Sequence, residues 1–311
     1  MAVTHSQLDG TCRDVEAQRR GGVTVPSDFS GTDATGIRVL AMNGKPIRLF
    51  VMATLARTYP RVAWLFRSRI WLIQETVLPV LAAAGFVYAY RAMQAPPAYA
   101  GVVVLGAALT TFWLNVLWGM GAQLYWERDA GNLELFVLSP APLTAILTGM
   151  ALGGMITTLV RATAITLTGV LLFDIPIRPS SWWLLISFFL LTLAALYGLG
   201  MLFASLFLRW GREAWHLVSL FQEPIYLLSG TNFPLTIFPK AVIVVASIVP
   251  LTLGMDALRQ VLFHMPGVLP LWGEAAALII LAIGFFGAAR LSLRHLERRS
   301  REEGTLTLRW Q

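Results

Sequence analysis

The sequence predicts an all-α membrane protein: six transmembrane helices, an N-terminal interfacial amphipathic helix, and a re-entrant helical hairpin between the fifth and sixth spans. Three observations predict it. Of 311 residues, 56% are hydrophobic and only 13% charged, about half the charged share of an ordinary soluble chain. The apolar residues are gathered in runs near the roughly 20 residues that a helix needs to cross hydrocarbon. The arginines sit beside those runs, in segments that the positive-inside rule assigns to one face of the membrane. A soluble core of this size has no place for so much apolar surface, so lipid is its solvent. The net charge of +7 therefore reads as topology, not as a nucleic-acid footprint.

Residues 1–44 are rich in Gly, Thr, Ser and Asp and carry no long apolar run. They read as a flexible cytoplasmic tail, with a docking arm as the alternative. Residues 45–69 form the interfacial segment. Arg57 and Arg61 lie four apart and share a helix face, and Leu49, Phe50, Leu55, Trp64 and Phe66 supply apolar surface. Such a segment is expected to lie in the interface plane. Pro60 is expected to break it in two.

Residues 70–289 hold the six-span domain. Its runs are Ile70–Tyr90, Tyr99–Trp126, Thr144–Phe173, Trp182–Leu208, Trp215–Leu228 and Leu271–Ala289. Most are long enough to span, and the longer ones imply tilt or extension beyond the bilayer. Between Ser229 and Pro270 the chain is apolar, but Pro234, Pro239, Pro250 and Pro266 punctuate it. Read as one span, it would give seven spans and an outer C-terminus. The tail at 290–311, with Arg290, Arg294, Arg298, Arg299, Arg301 and Arg309, is too basic for that. Two half-helices over 231–266 that enter and return keep both termini in the cytoplasm.

No G-x-x-x-x-G-K-[ST], H-E-x-x-H or G-x-S-x-G motif occurs, and one cysteine, Cys12, excludes an internal disulfide. The four histidines are scattered, so no metal site is expected. Charges inside the runs are few: Glu75, Arg161 and Glu223. Arg161 and Glu223 are candidates for a translocation path, or else members of ion pairs that orient helices. Gly149, Gly153 and Gly154 permit close helix packing. Trp71, Trp126, Trp182, Trp210 and Trp272 fall near run ends and read as interfacial anchors.

The most informative segment is the turn between the second and third runs, YWERDAGNLELFVLSPAPLTAIL, Tyr125 to Leu147. A charged stretch, Gly131, a short amphipathic piece (Leu133, Leu135, Phe136, Leu138) and a Ser139-Pro140-Ala141-Pro142 corner follow one another. Glu127 and Glu134 are expected to project toward the cytoplasm. The whole is too elaborate for a plain loop and reads as a docking surface for a soluble partner.

These residues resemble the type-2 ABC-transporter permease family, whose pattern here is E-R-E-x-G-T-x-E-x-L-x-x-[ST]-P. Glu127, Arg128, Gly131, Glu134, Ser139 and Pro140 match it, while Asp129 and Asn132 stand where Glu and Thr are commonest. A second likeness follows the fifth run: LLSGTNFPLTIFP at Leu227–Pro239, then Val249-Pro250-Leu251-Thr252 and Asp256-Ala257-Leu258-Arg259. The resemblance covers roughly residues 45–290. It implies the permease subunit of an ATP-driven exporter of the cell (plasma) membrane, with an amphipathic or lipid-linked substrate. ATP and Mg would be bound by separate cytoplasmic ATPase subunits, this chain binding no cofactor, and a second permease copy would complete a homodimer or related heterodimer. It also assigns roles. Glu127, Arg128, Asp129, Gly131, Glu134, Leu135, Phe136, Ser139 and Pro140, within a turn at 127–142, would couple to the ATPase. Ser229, Gly230, Phe233, Pro234, Pro250, Asp256 and Arg259 would form an outer gate.

Two other classes compete. A stand-alone carrier or channel is compatible with six spans but leaves the elaborated turn without a purpose. An intramembrane enzyme would need Glu223 with His216, or Asp256 with Arg259, as acid–base pairs; the latter is more simply an i,i+3 ion pair.

Overall fold

The computed structural model describes residues 46–303 apart from 133–134, 137–138 and 178. The tail assigned to residues 1–44 lies outside the described residues, as do Glu134 and Arg309. The regular structure of the described residues is all helical, with no strand among them. In chain order the helices are α1 (Pro46–Arg67), α2 (Arg69–Ala92) and α3 (Ala98–Leu114), which passes through a π-helical segment (Asn115–Gly121) into α4 (Gln123–Asp129). Then come α5 (Leu143–Phe173), α6 (Trp182–Trp210), α7 (Arg212–Leu228), α8 (Lys240–Ala246), α9 (Pro250–Phe263) and α10 (Leu271–Glu303).

Five helical stretches are long and apolar enough to cross a membrane: Ile70–Ala92, Ala98–Asp129, Thr144–Phe173, Trp182–Trp210 and Leu271–His295. They coincide with five of the six apolar runs. The pair α8 and α9, bent by 108°, makes a sixth if it is one span. At 17 residues, α7 is about 25 Å long at 1.5 Å per residue, short of the roughly 30 Å of hydrocarbon. The bend has a local cause. Pro250 opens α9 and has no N–H to continue α8, and Val249 before it is extended (φ −86°, ψ 120°), as a residue preceding proline prefers.

α3 is the central helix. Its apolar window is 78% buried, against 17% for α2 and 22% for α10, which form the rim. Phe112, Trp113, Val116, Leu117 and Met120 are fully enclosed, together with Ile165 of α5, Leu196 and Phe207 of α6, Leu251 and Ala257 of α9, and Leu278 of α10. The apolar side chains left at the rim, such as Ile70, Ile73, Leu81 and Ile280, are what a lipid solvent accommodates.

α1 is one continuous helix. Pro60 lies inside it and does not break it, contrary to the sequence expectation. The proline removes the bond to the Ala56 carbonyl, but Ala56 and Pro60 both face the open side, where that carbonyl is not stranded in a dry core. The opposite face is tied to α5. Thr54 Oγ1 donates to Ala145 O (3.2 Å), Thr58 Oγ1 to Gly149 O (3.1 Å) and Arg61 Nη1 to Met150 O (3.1 Å). Donors and acceptors advance together, so α1 runs parallel to the first turns of α5. Glycine permits the approach: a Cβ at Gly149 would stand 2.5 Å from Thr54 O, and one at Gly153 would stand 3.1 Å from Arg61 Cβ.

Candidate functional site: the 127–142 turn

α4 ends in Glu127-Arg128-Asp129, and these neighbours point in three directions because successive helical residues are about 100° apart. Glu127 turns inward. It accepts from Arg57 of α1, from Gln123 Nε2 (3.3 Å) and from Asn132 Nδ2 (2.8 Å). The Glu127 side chain keeps only 12% of its surface exposed. The sequence expects Glu127 to project toward the cytoplasm; in the structure the Arg57 guanidinium holds it, and a charge-assisted bond outweighs hydration of a carboxylate so largely enclosed. The same guanidinium lies 4.6 Å over the Phe136 ring, a cation–π contact that fixes the amphipathic piece beneath α1.

Arg128 reaches the other way. Its Nη1 donates to Leu208 O (3.2 Å), and its guanidinium lies 5.3 Å over the Tyr125 ring. Leu208 is in the last turn of α6, where carbonyls lack helical partners and the dipole is negative. Arg128 therefore caps α6 from outside. Gly211 (φ +55°) closes that helix, and a Cβ there would stand 2.9 Å from Arg128 Nη2. Asp129 is exposed.

Gly131 has φ +77°, and its N–H returns to Arg128 O (3.0 Å). This is the left-handed residue that commonly ends a helix, where glycine escapes the Cβ penalty. Leu135 is 66% exposed. Ser139 Oγ accepts from Ala141 N (3.2 Å), which with Pro140 and Pro142 shapes the corner into α5. The described residues of the turn thus lie together where α4 ends, α5 begins and α6 ends.

At the far end of α7, Ser229 and Gly230 (φ +75°) are buried. Tyr90 OH donates to Asn232 O (2.8 Å), and Phe233 meets Phe86 edge-on at 5.8 Å, so the Ser229–Pro234 segment is pinned to α2. A Cβ at Gly106 of α3 would collide with the Thr231 carbonyl. Within α9, Asp256 and Arg259 form the i,i+3 ion pair and are both 1% exposed. Asp256 Oδ2 also accepts from Val268 N (2.7 Å), and Gln260 Nε2 donates to Leu269 O (3.1 Å) and Glu274 Oε1 (2.8 Å). These bonds fold the 264–270 connection back onto α9. Sequence reasoning missed Gln260 and Glu274; their i,i+4 and next-helix positions carry no motif.

Of the two candidate path residues, Arg161 pairs with Glu75 at 2.6 Å, joining α5 to α2, while Glu223 is exposed on α7. The structure does not bring the two together. Arg57, seen in the sequence only as half of a basic face, is the partner that the turn depends on. Among the described residues no group of three or more His, Cys, Asp or Glu side chains converges to hold a metal.

Comparison with individually curated proteins gave no match. The family model for the ABC-2 type transporter matches residues 61–263, which takes in α2 through α9, the turn and the bent pair. This matched segment, joined to five long apolar helices in a multi-pass arrangement, supports one assignment: the chain belongs to the ABC-2 type transporter family, whose members are permeases that generally work with ABC ATPase subunits.

Proposed function

We propose that this chain is the membrane-spanning half of an ATP-driven exporter of the plasma membrane, both termini cytoplasmic, paired with a second permease copy. ATP and Mg are held by separate ATPase subunits that dock on the 127–142 turn. One observation carries the reading: Glu127 is bonded to α1 through Arg57, and its neighbour Arg128 to the end of α6 through the Leu208 carbonyl. A partner pressing on the turn would move both helices as a unit, which is what a lever needs. The tie to α1 and the exposed Leu135 and Asp129 support α1 and the turn as one docking face.

The bent pair is compatible with an outer gate in which α8 and α9 enter and return; α7, at 17 residues, then crosses where the bilayer thins to meet it. Ser229–Pro234 then forms the rim of the gate, and Asp256–Arg259 holds its inner piece. The exported molecule is taken as amphipathic or lipid-linked. Purification of the tagged chain from native membranes in mild detergent, with mass spectrometry of what accompanies it, tests the reading. A stoichiometric soluble protein with a Walker-type phosphate loop supports it. Recovery of this chain alone, even after cross-linking before extraction, moves a stand-alone carrier to the front.

A further inference from the structure

A cavity of about 320 Å³ opens where α1 meets α2, beside the π-helical segment and the middle of α5; Arg61, Trp64, Trp71, Glu75, Asn115 and Arg161 are among its lining residues. Its charges do not balance. Arg161 is paired with Glu75 and Thr158, while Arg61 donates to the Gly119 and Met150 carbonyls and has no carboxylate in ion-pair range among the described residues. Two guanidinium groups face one carboxylate. Burial pushes Arg61 below the ordinary arginine value, yet an arginine keeps its proton at neutral pH. The surplus charge therefore stays, in a place where charges are normally paired.

One fully buried donor at the cavity lacks a partner, and a second donor is free. Arg161 is 8% exposed, and its Nε meets no acceptor. Asn115, also 8% exposed, is oriented by Tyr197, whose OH donates to Asn115 Oδ1 (3.2 Å); this leaves the Asn115 amide N–H₂ free to donate. Each guanidinium Nη of Arg61 and Arg161 carries a second N–H beyond the one it gives to Met150, Gly119, Glu75 or Thr158, and these with the Asn115 amide match the oxygens of a phosphate group. The walls are aromatic: Trp64 and Trp71 meet edge-on at 4.8 Å, and Arg161 lies 5.0 Å over the Trp71 ring. Such rings favour the boundary between headgroup and acyl chain. On α2, Leu78 stands 58% exposed and follows Trp71 and Glu75 at i, i+4, i+7, a stripe on the face that lines the cavity.

We propose that this cavity binds the phosphate group of an anionic phospholipid, with Arg61, the Asn115 amide and Arg161 holding the phosphate oxygens and the acyl chains lying along the α2 stripe. The proposal is independent of where an ATPase docks.

The full chain in detergent, titrated with phosphatidylglycerol, phosphatidylcholine or inorganic phosphate and read by native mass spectrometry, tests it. Phosphatidylglycerol retained at least tenfold more tightly than phosphatidylcholine is the expected result, with inorganic phosphate competing weakly. Arg61→Gln, which keeps one amide donor toward the carbonyls, should lower phosphatidylglycerol retention about tenfold while phosphatidylcholine retention stays unchanged. Glu75→Gln, which removes the competing anion, should raise it; a residue of purely structural importance would not act in that direction. Equal retention of the two lipids, unchanged retention in Arg61→Gln, or uptake of inorganic phosphate with no lipid preference would each overturn the proposal.

Discussion

Arg57 of α1 and Glu127 of α4, 70 residues apart in the chain, form an ion pair in which the guanidinium also covers Phe136. The pair is half-buried, with side-chain exposures of 30% and 12%, so its contribution to stability is of order 1 kcal/mol rather than that of a buried bridge. Its importance lies in what it connects.

Arg57→Glu and Glu127→Arg should each impair ATP-driven transport, and the double exchange should restore part of it. A double-mutant cycle on detergent melting temperatures should return a coupling of about 1 kcal/mol. Independent, additive effects would mean that the two residues do not act together.

Gly131→Ala should destabilise the turn without any collision, since nothing lies within 4 Å of the Cβ position. The loss comes from the positive φ alone, about 1 kcal/mol, or a fall of about 2 °C in melting temperature. Gly131→Asn should lose less, because asparagine tolerates the left-handed region.

Two glycines on α5 should rank in order. At Gly149 an added methyl meets the Thr54 carbonyl at 2.5 Å, a backbone atom that cannot move alone, whereas at Gly153 it meets the Arg61 side chain at 3.1 Å. Gly149→Ala should therefore cost about 1–3 kcal/mol by forcing α1 off α5, and Gly153→Ala clearly less. Thermal unfolding of the two variants checks the order.

Labelling of single cysteines, in a chain with Cys12 replaced by serine, should separate the two readings of the bent pair. If α8 and α9 enter and return, cysteines at Lys240 and Val268 react from the same side as one at Met93, and one at Asp129 reacts from the opposite side. Lys240 and Val268 on opposite sides would make the pair a span.

The helices were legible because apolar length is a local property: four of the long runs match their helices within a few residues at each end. The last helix extends beyond its apolar run, because Arg290, Leu291 and Arg294 continue it with strong helix formers. The Asp256–Arg259 pair was legible too, as it needs only the i,i+3 spacing. Arg57–Glu127 was not, because nothing in either neighbourhood encodes a contact across 70 residues. The π-helical segment was equally hidden. It occurs where Arg61 donates to the Gly119 carbonyl, a tertiary intrusion into a helical ladder. Pro60 misled for a related reason: proline argues for a break only where the freed carbonyl would be buried, and facing is decided by packing against α5.

The most direct measurement is photocross-linking from Leu135, an exposed apolar residue of the turn, in native membranes, with Met93 at the opposite end of α2 as the control position. A Walker-type ATPase captured at Leu135 and not at Met93 is the expected result. Capture of lipid alone at Leu135, or of the ATPase equally at both positions, would contradict the turn as the docking site.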